Sequence, residues 1–361
     1  MDEDDYFRVI SDGVKKEFDI ISKIKQVNIP VAADVGARIE GLLSVLNPNI
    51  LNSGLADFIR EAERKYSSND WRVAIDSAIA TARSKFIKFN DYKDAIEMGI
   101  RVGLAYITSA IVSAPLEGFV RAEFKKRKDG KEYIACHFGG PIRGAGATAA
   151  ASVIIIADAL RVNFNLGKYD ADETEIKRIN VEITDYNDEA RLQYLPSYTE
   201  IEFLVKNLPI EIDGDPTSDR EVSAYKNLPR IKTNRVRGGM ALVMCEGVIQ
   251  KAPKLNKMLK VFGSYYGIDE DFKFIPEFIR IKEIAHASSE NKKIEGDLDT
   301  TNKVLPNYRY LEELAAGRPV FSYPLRSGGF RLRYGRSRTS GFAAASLNPS
   351  TSALAPQNPH N

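Results

Sequence analysis

Apolar residues recur every three to four positions through the first hundred residues, the spacing that lays one stripe along a helix. Tyr6, Phe7, Ile10, Val14, Phe18, Ile21 and Ile24 form such a stripe and predict a helix over 2–26. Pro30 ends it. Asp34 is placed to cap a second helix that carries Val35, Ile39, Leu42, Leu43 and Leu46 on one side. Further helical patterns fall at about 54–66, 70–87 and 91–110. The period then changes. Ser113 to Gly118 is a non-helical break, and two strands follow at Phe119–Lys126 and Glu132–Phe138 with the turn signal Asp129-Gly130 between them. A glycine loop, Gly139 to Thr148, leads into an alanine-rich helix ending near Val162.

Further on, Asp172–Ile183 fits a strand or a short helix. Leu192–Ser197 is a break whose Ser197 caps a helix to about Lys206. Leu208–Ile212 predicts a strand that ends in an Asp213-Gly214-Asp215 turn. Met240–Glu246 predicts an apolar strand, buried on both faces over Leu242–Cys245. A helix bearing Lys251, Lys254, Lys257 and Lys260 comes next. The polar stretch 286–304 predicts a linker, and Leu305–Ala316 a short helix stopped by Gly317. These elements predict an α+β fold: helical over 1–110, α/β over 111–285, a linker over 286–304, and the opening of a new domain over 305–361.

Composition changes this picture little. In 361 residues, 43% hydrophobic and 28% charged content is ordinary for a soluble protein, and the net charge is only +2. The distribution matters more. Asp2 to Asp5 are all acidic, whereas Pro319–Arg338 carries Arg326, Arg331, Arg333, Arg336 and Arg338 with no acid. Arginines there alternate with Phe330, Leu332 and Tyr334, as on a strand with one packed and one cationic face. That pattern points to binding of phosphates on a polyanion through these arginines. A solvated, charge-guarded edge strand is the other reading. The two cysteines, Cys136 and Cys245, lie far apart in strand-like apolar contexts, which argues against a disulfide framework or zinc site and suits a reducing, cytoplasmic setting. The most apolar run, Ala147–Ala157, is too short to span a bilayer, so no membrane association is expected.

Three constellations invite chemistry. Gly144, Gly146 and Ala149 satisfy GxGxxA, but the next segment is turn-like, where a dinucleotide fold needs a strand ending in an acid. The loop therefore suits either close helix–sheet packing or a phosphate held with help from Arg143. Arg237 before Gly238-Gly239, and Lys251, are further candidate phosphate contacts. Glu211, Asp213, Asp215 and Asp219 are acidic enough to suggest a metal, yet the string reads better as a turn.

Several segments together resemble the large subunit of the archaeal family D DNA polymerases. They are Ile111–Gly118, Gly140-Pro141-Ile142-Arg143, Arg191–Tyr194 with Pro196-Ser197, Thr233-Asn234, Arg237-Gly238-Gly239, Glu246-Gly247-Val248 with Gln250-Lys251-Ala252, and Ala316–Phe321 through Arg338. The resemblance implies a polymerase core of two double-psi β-barrels, a KH-like domain within the α/β region, and the start of the first barrel at the arginine strand. It implies a heterodimer with a small 3′–5′ exonuclease subunit, a DNA primer–template substrate and Mg2+ as cofactor. It implies that the metal-binding carboxylates sit in a downstream Asn-Ala-Asp-Phe-Asp-Gly-Asp motif absent here, so that this N-terminal piece has no catalytic or metal-binding residue of its own. The run 144–149 and the last dozen residues depart from the family pattern, the latter suggesting a frame error or an unrelated tail. Read without the resemblance, the chain would be a nucleotide-binding enzyme built on Gly139–Thr148 or a non-catalytic assembly module.

Overall fold

The computed structural model describes residues 3–26, 34–290, 320–321 and 330–331. Helix α1 spans Glu3–Gln26. A layer of four helices follows: α2 (Val35–Leu43), α3 (Leu55–Tyr66), α4 (Trp71–Ala82) and α5 (Tyr92–Ile107). Asp34 caps α2 as expected, accepting from Ala37 N at 2.9 Å. Helices α4 and α5 stop short of their predicted ends because Ser84, Ser109 and Ala110 take left-handed φ angles. Ile39, Leu43, Ile59, Val73, Val102 and Tyr106 form this layer's own core.

The expected break at 113–118 closes as a single π turn, Ala114–Gly118. Arg101, buried in α5, organises it by donating to the carbonyls of Pro115 (2.7 Å) and Phe119 (2.8 Å). Strands β1 (Phe119–Lys126) and β2 (Glu132–Phe138) pair antiparallel, and β3 (Glu211–Gly214) adds in parallel to β2, giving the order β1-β2-β3. Helix α6 (Ala147–Asn163), buried along most of its length, runs through the main core between the sheet and α4–α5. Helices α7 (Glu173–Ala190) and α8 (Tyr198–Asn207) both begin with capping boxes, Asp172/Glu175 and Ser197/Glu200. The segment 172–183 is thus the first part of a long helix, not a strand.

Two expectations fail here. Met240–Glu246 is helical: α9 (Gly238–Leu242) passes through a π-wound stretch, Val243–Ile249, into α10 (Gln250–Tyr266). A run buried on every side shows no period, and only its neighbours decide between strand and helix. Gly239 decides it, because α9 starts against the end of β2, so close that a β-carbon would fall inside the Phe138 carbonyl oxygen. Second, Asp213-Gly214 is not a turn but the buried end of β3, paired with His137 and Phe138 of β2. The strand also begins at Glu211 and not at Leu208.

Pro253 lies inside α10 and cannot donate to Ile249 O four residues back. Lys282 of α11 (Ile275–Glu290) fills the gap, its Nζ 3.1 Å from that oxygen. Helix α11 continues to Glu290, into the stretch expected to be a linker. The remainder of that linker, the 305–316 helix and the C-terminal tail lie outside the described residues. From the arginine-rich segment, β4 (Val320–Phe321) pairs antiparallel with β5 (Phe330–Arg331).

Candidate nucleic-acid interface

The glycine loop joins β2 to α6 through a 3₁₀ turn, Gly140–Ala145. Gly146 then takes φ +83°, and α6 starts with no side-chain cap. The first helical bond is Ala150 N to Gly146 O, so the N–H groups of Ala147, Thr148 and Ala149 have no acceptor among the described residues. They open on a cleft of about 360 Å³ lined by Asn69, Trp71, Tyr106, Gly146, Thr148 and Lys254. Lys254 is exposed and forms no ion pair among the described residues. Tyr106 is fixed in the wall: its hydroxyl donates to Glu63 (2.8 Å) and accepts from Asn69 N (3.1 Å). Burial pushes its pKa well above the ordinary tyrosine range, so it stays neutral. An uncapped helix start, a lysine and an indole form an arrangement able to hold an anionic group beside an aromatic face.

Arg143 does not face this cleft as a free hand. Its Nη2 lies 3.0 Å from Glu246 Oε1, which also accepts from Gln193 N at 3.0 Å. The arginine therefore ties the glycine loop to the π-wound stretch and to the 192–197 break, three segments quoted above for the resemblance. Lys251 stands half-buried at the start of α10, close enough to Lys282 to depress its pKa, which burial has already lowered.

Arg237 is a correction. It is 1% exposed and each of its three guanidinium nitrogens is bound to a carboxylate: Nε and Nη2 to Glu182 at 3.0 and 2.7 Å, and Nη1 to Asp213 at 2.6 Å. Enclosed in this way, it is out of reach of a phosphate in solution. It belongs to a buried ionic lattice under the sheet. Lys125 Nζ sits 2.8 Å from Glu211 and 2.6 Å from Asp213. Tyr133 OH donates to Glu211 at 2.8 Å. Arg178 Nε donates to Glu182 at 3.2 Å. His137 Nε2 stands 3.1 Å from Glu123 and 3.2 Å from Asp213, and Arg121 pairs with Asp215 at 2.8 Å. Burial lifts Glu211 to about 7 against the pull of Lys125. Burial also raises Asp213, but Arg237 and Lys125 overcome it and hold that carboxyl below its usual range. Burial keeps His137 below its ordinary value despite Asp213. Glu211, Asp213 and Asp215 are each neutralised by a cation, and no group of three or more potential ligands among the described residues could hold a metal ion.

Of the arginine strand, the backbone of Arg331 is paired with Val320; Arg326, Arg333, Arg336 and Arg338 lie outside the described residues. No helix of the described residues is long and apolar enough to cross a membrane. The Trp71–Lys254 cleft was not foreseen. The chain's one tryptophan standing next to Asp70, which caps α4, is the only local hint of it.

The sequence matches place the chain among DNA polymerase large subunits. It belongs to the DNA polymerase II large subunit family: residues 5–279 match the family described as DNA polymerase II large subunit DP2, N-terminal, and residues 290–357 match its central domain. Relatives named DNA polymerase II large subunit include that of Nanoarchaeum equitans, 42% identical over 96% of this chain and 30% of the relative. Those of Methanococcoides burtonii and Thermoplasma volcanium are each 39% identical, covering 96% and 97% of this chain and 29% and 30% of their own lengths. The chain thus spans about three-tenths of the relatives it matches. The central-domain match reaches residue 357 and overturns the expectation that the last dozen residues leave the family pattern.

Proposed function

We propose that this chain forms the N-terminal and opening central part of the large subunit of a replicative DNA polymerase, a template-directed nucleotidyltransferase. The observation that carries the reading is the pair of family matches, N-terminal then central, along the chain in that order. In this reading the chain supplies scaffold and contacts to the backbone of a primer–template. The helical layer and α/β region, KH-like in part, support a first double-psi β-barrel that opens at β4–β5. Arg326, Arg331, Arg333, Arg336 and Arg338 approach DNA phosphates there, with the Trp71–Lys254 cleft as a further anionic contact. Nucleotide addition with Mg2+ belongs to carboxylates elsewhere in the subunit, since the acids of β3 and the following Asp215 are neutralised by Lys125, Arg237 and Arg121 and do not fit a divalent ion. A 3′–5′ exonuclease activity belongs to a small-subunit partner.

The test is binding of the full chain to a labelled primer–template across a salt series. The expected result is affinity that is independent of sequence and falls steeply with salt, as counterion release requires. Changing Arg331 and Arg333 to Ala together should flatten that dependence. Absence of any DNA affinity at low salt would overturn the assigned contacts. Magnesium-dependent incorporation of nucleotides by this chain alone would overturn the placement of catalysis elsewhere.

A further inference from the structure

The turn between β1 and β2 reads Lys126-Arg127-Lys128-Asp129-Gly130-Lys131, four cations against one carboxylate. Its backbone is fixed at every step. Gly130 takes φ +85°, with Gly130 N donating to Arg127 O (3.1 Å) and Arg127 N to Lys131 O (2.9 Å). Such a three-residue turn needs a left-handed glycine. The one acid is spent on the turn itself: Asp129 Oδ1 accepts from Lys131 N (3.1 Å) and Arg127 Nε (3.2 Å). A second loop clamps the turn from outside. Lys128 N donates to Asp170 Oδ2 (3.1 Å), Arg127 Nη1 to Lys168 O (2.8 Å), and Gly167 N to Glu132 O (2.7 Å). Asp170 is in turn held by Arg230.

What remains uncommitted is the cationic charge. Lys126, Lys128 and Lys131 are exposed, and none forms an ion pair among the described residues; Lys126 stands opposite Glu132 in the ladder and lowers its pKa through charge alone, while Lys93 holds that carboxylate directly. A guard against edge-to-edge pairing would set its charges along the free edge of β1. Here Lys126 ends β1 opposite Glu132, and Lys128 and Lys131 lie past that last rung, so the charges cluster at the tip. A preorganised backbone with mobile lysines suits a regular polyanion, which needs point charges and no fixed fork.

We infer that the β1–β2 tip is a contact for the phosphate backbone of duplex DNA, made by Lys126, Lys128 and Lys131 and distinct from the arginine strand. The inference rests on the polymerase-subunit reading above. The test is fluorescence anisotropy of the full chain with a labelled 20-base-pair duplex at several NaCl concentrations. The variant carries Lys126→Gln, Lys128→Gln and Lys131→Gln; a charge-matched control carries Lys15→Gln, Lys16→Gln and Lys23→Gln on exposed positions of α1. The tip variant should lose roughly 10–100-fold in affinity at moderate salt, and its log–log salt slope should fall by about 2–3 if each lysine serves one phosphate. Its thermal midpoint should stay with that of the parent, and the control should bind almost as the parent does. A tip variant with the parent's affinity and slope overturns this inference and leaves the polymerase-subunit reading standing. Equal losses in tip and control variants overturn it too, because net charge alone then explains the effect. A parent chain with no salt-sensitive DNA binding removes both readings. A preference between two unrelated duplexes would overturn the backbone character of the contact.

Discussion

Replacing Arg237 with Met separates a structural arginine from a DNA-contacting one. The guanidinium makes two contacts to Glu182, at 3.0 and 2.7 Å, and one to Asp213 at 2.6 Å, all out of solvent. Methionine fills a similar volume and leaves two buried carboxylates short of a cation. Neither is left bare. Glu182 keeps Arg178 at 3.2 Å and the backbone N–H of residue 237. Asp213 keeps Lys125 at 2.6 Å and Gly214 N at 2.7 Å. Breaking a buried ion pair from one side costs about 3–5 kcal/mol, and the residual partners put this case at the lower end, about 3 kcal/mol. With a urea dependence of about 1–3 kcal/mol per molar, the unfolding midpoint should fall by about 1–3 M. Trp71 fluorescence and far-ultraviolet circular dichroism both report it. Adding Glu182→Gln should cost less than the sum of the two single changes, by about 1–3 kcal/mol, because the pair shares one lattice. The pH response has a definite sign. Asp213 is held below its unfolded value, so its contribution is present above about pH 4 and is lost as pH falls through the folded value. The deficit of the Met variant should therefore shrink in acid. An unchanged midpoint together with weakened DNA binding would refute the whole argument and restore Arg237 as an outward phosphate contact.

Three further outcomes follow from the same geometry. Gly239→Ala should cost about 2–3 kcal/mol or more, since its β-carbon would overlap the Phe138 carbonyl and lie 2.8 Å from Gly139 N, both backbone; Gly144→Ala, with nothing within 4 Å, should be nearly neutral, and thermal melts of the pair check it. Burial lifts Asp158 to about 7 despite Arg161, with Asp271 adding to the rise, so the parent loses stability as pH climbs from about 4 to about 7. Asp158→Asn should gain on the parent over that window by on the order of 1–3 kcal/mol, and an identical gap at pH 4.5 and pH 8 would refute it. Cys136 and Cys245 are fully enclosed and burial raises both thiols, so the native chain should resist a thiol reagent at pH 8 and release two thiols on unfolding; rapid native reaction would contradict the packing.

Legibility followed the range of the forces involved. Asp34, Ser197 and Asp129-Gly130 act on their own neighbours within a few residues, and the elements they punctuate lie where the residues alone place them. Both strands of the hairpin match to the residue. Met240–Glu246 failed because a run buried on all sides carries no period, and the contact that makes it a helix lies about a hundred residues back at Phe138. Asp213-Gly214 looked like a turn because an acid beside a glycine is exposed by default. Arg237, 24 positions later, and Lys125, 88 positions earlier, make burial of that acid tolerable. Arg237 misled for the same reason: Glu182 is 55 residues away, and no local pattern announces it. The cleft at the start of α6 draws on four separated segments, of which only the glycine loop was visible in advance.

The hairpin gives the proposed DNA contact a physical reason to stand on a buried ionic lattice. Lys125 and Lys126 are adjacent, yet β1 sends the first into the lattice and leaves the second exposed. Below that point the cations beside the sheet are matched: Lys125 by Glu211 and Asp213, Arg121 by Asp215, Arg237 by Glu182. Beyond it, three lysines are unmatched. Apolar residues could fill the interior at equal or lower cost, since buried pairs rarely exceed well-packed hydrocarbon in stability. Ion pairs add direction. Lys125 serves two acids of β3 at once, which pins β1 against β3 across β2 and fixes the angle at which the tip leaves the sheet. A tip held in this way loses little backbone freedom when it meets a phosphate, so the Coulombic attraction of its lysines goes into affinity and not into ordering the loop. Weakening the base should then weaken the tip. Lys125→Met, which touches no exposed charge, should reduce DNA affinity in proportion to the order it removes from the turn, as hydrogen exchange at Gly130 and Lys131 would report; full DNA affinity alongside a loosened turn would break the link between lattice and contact.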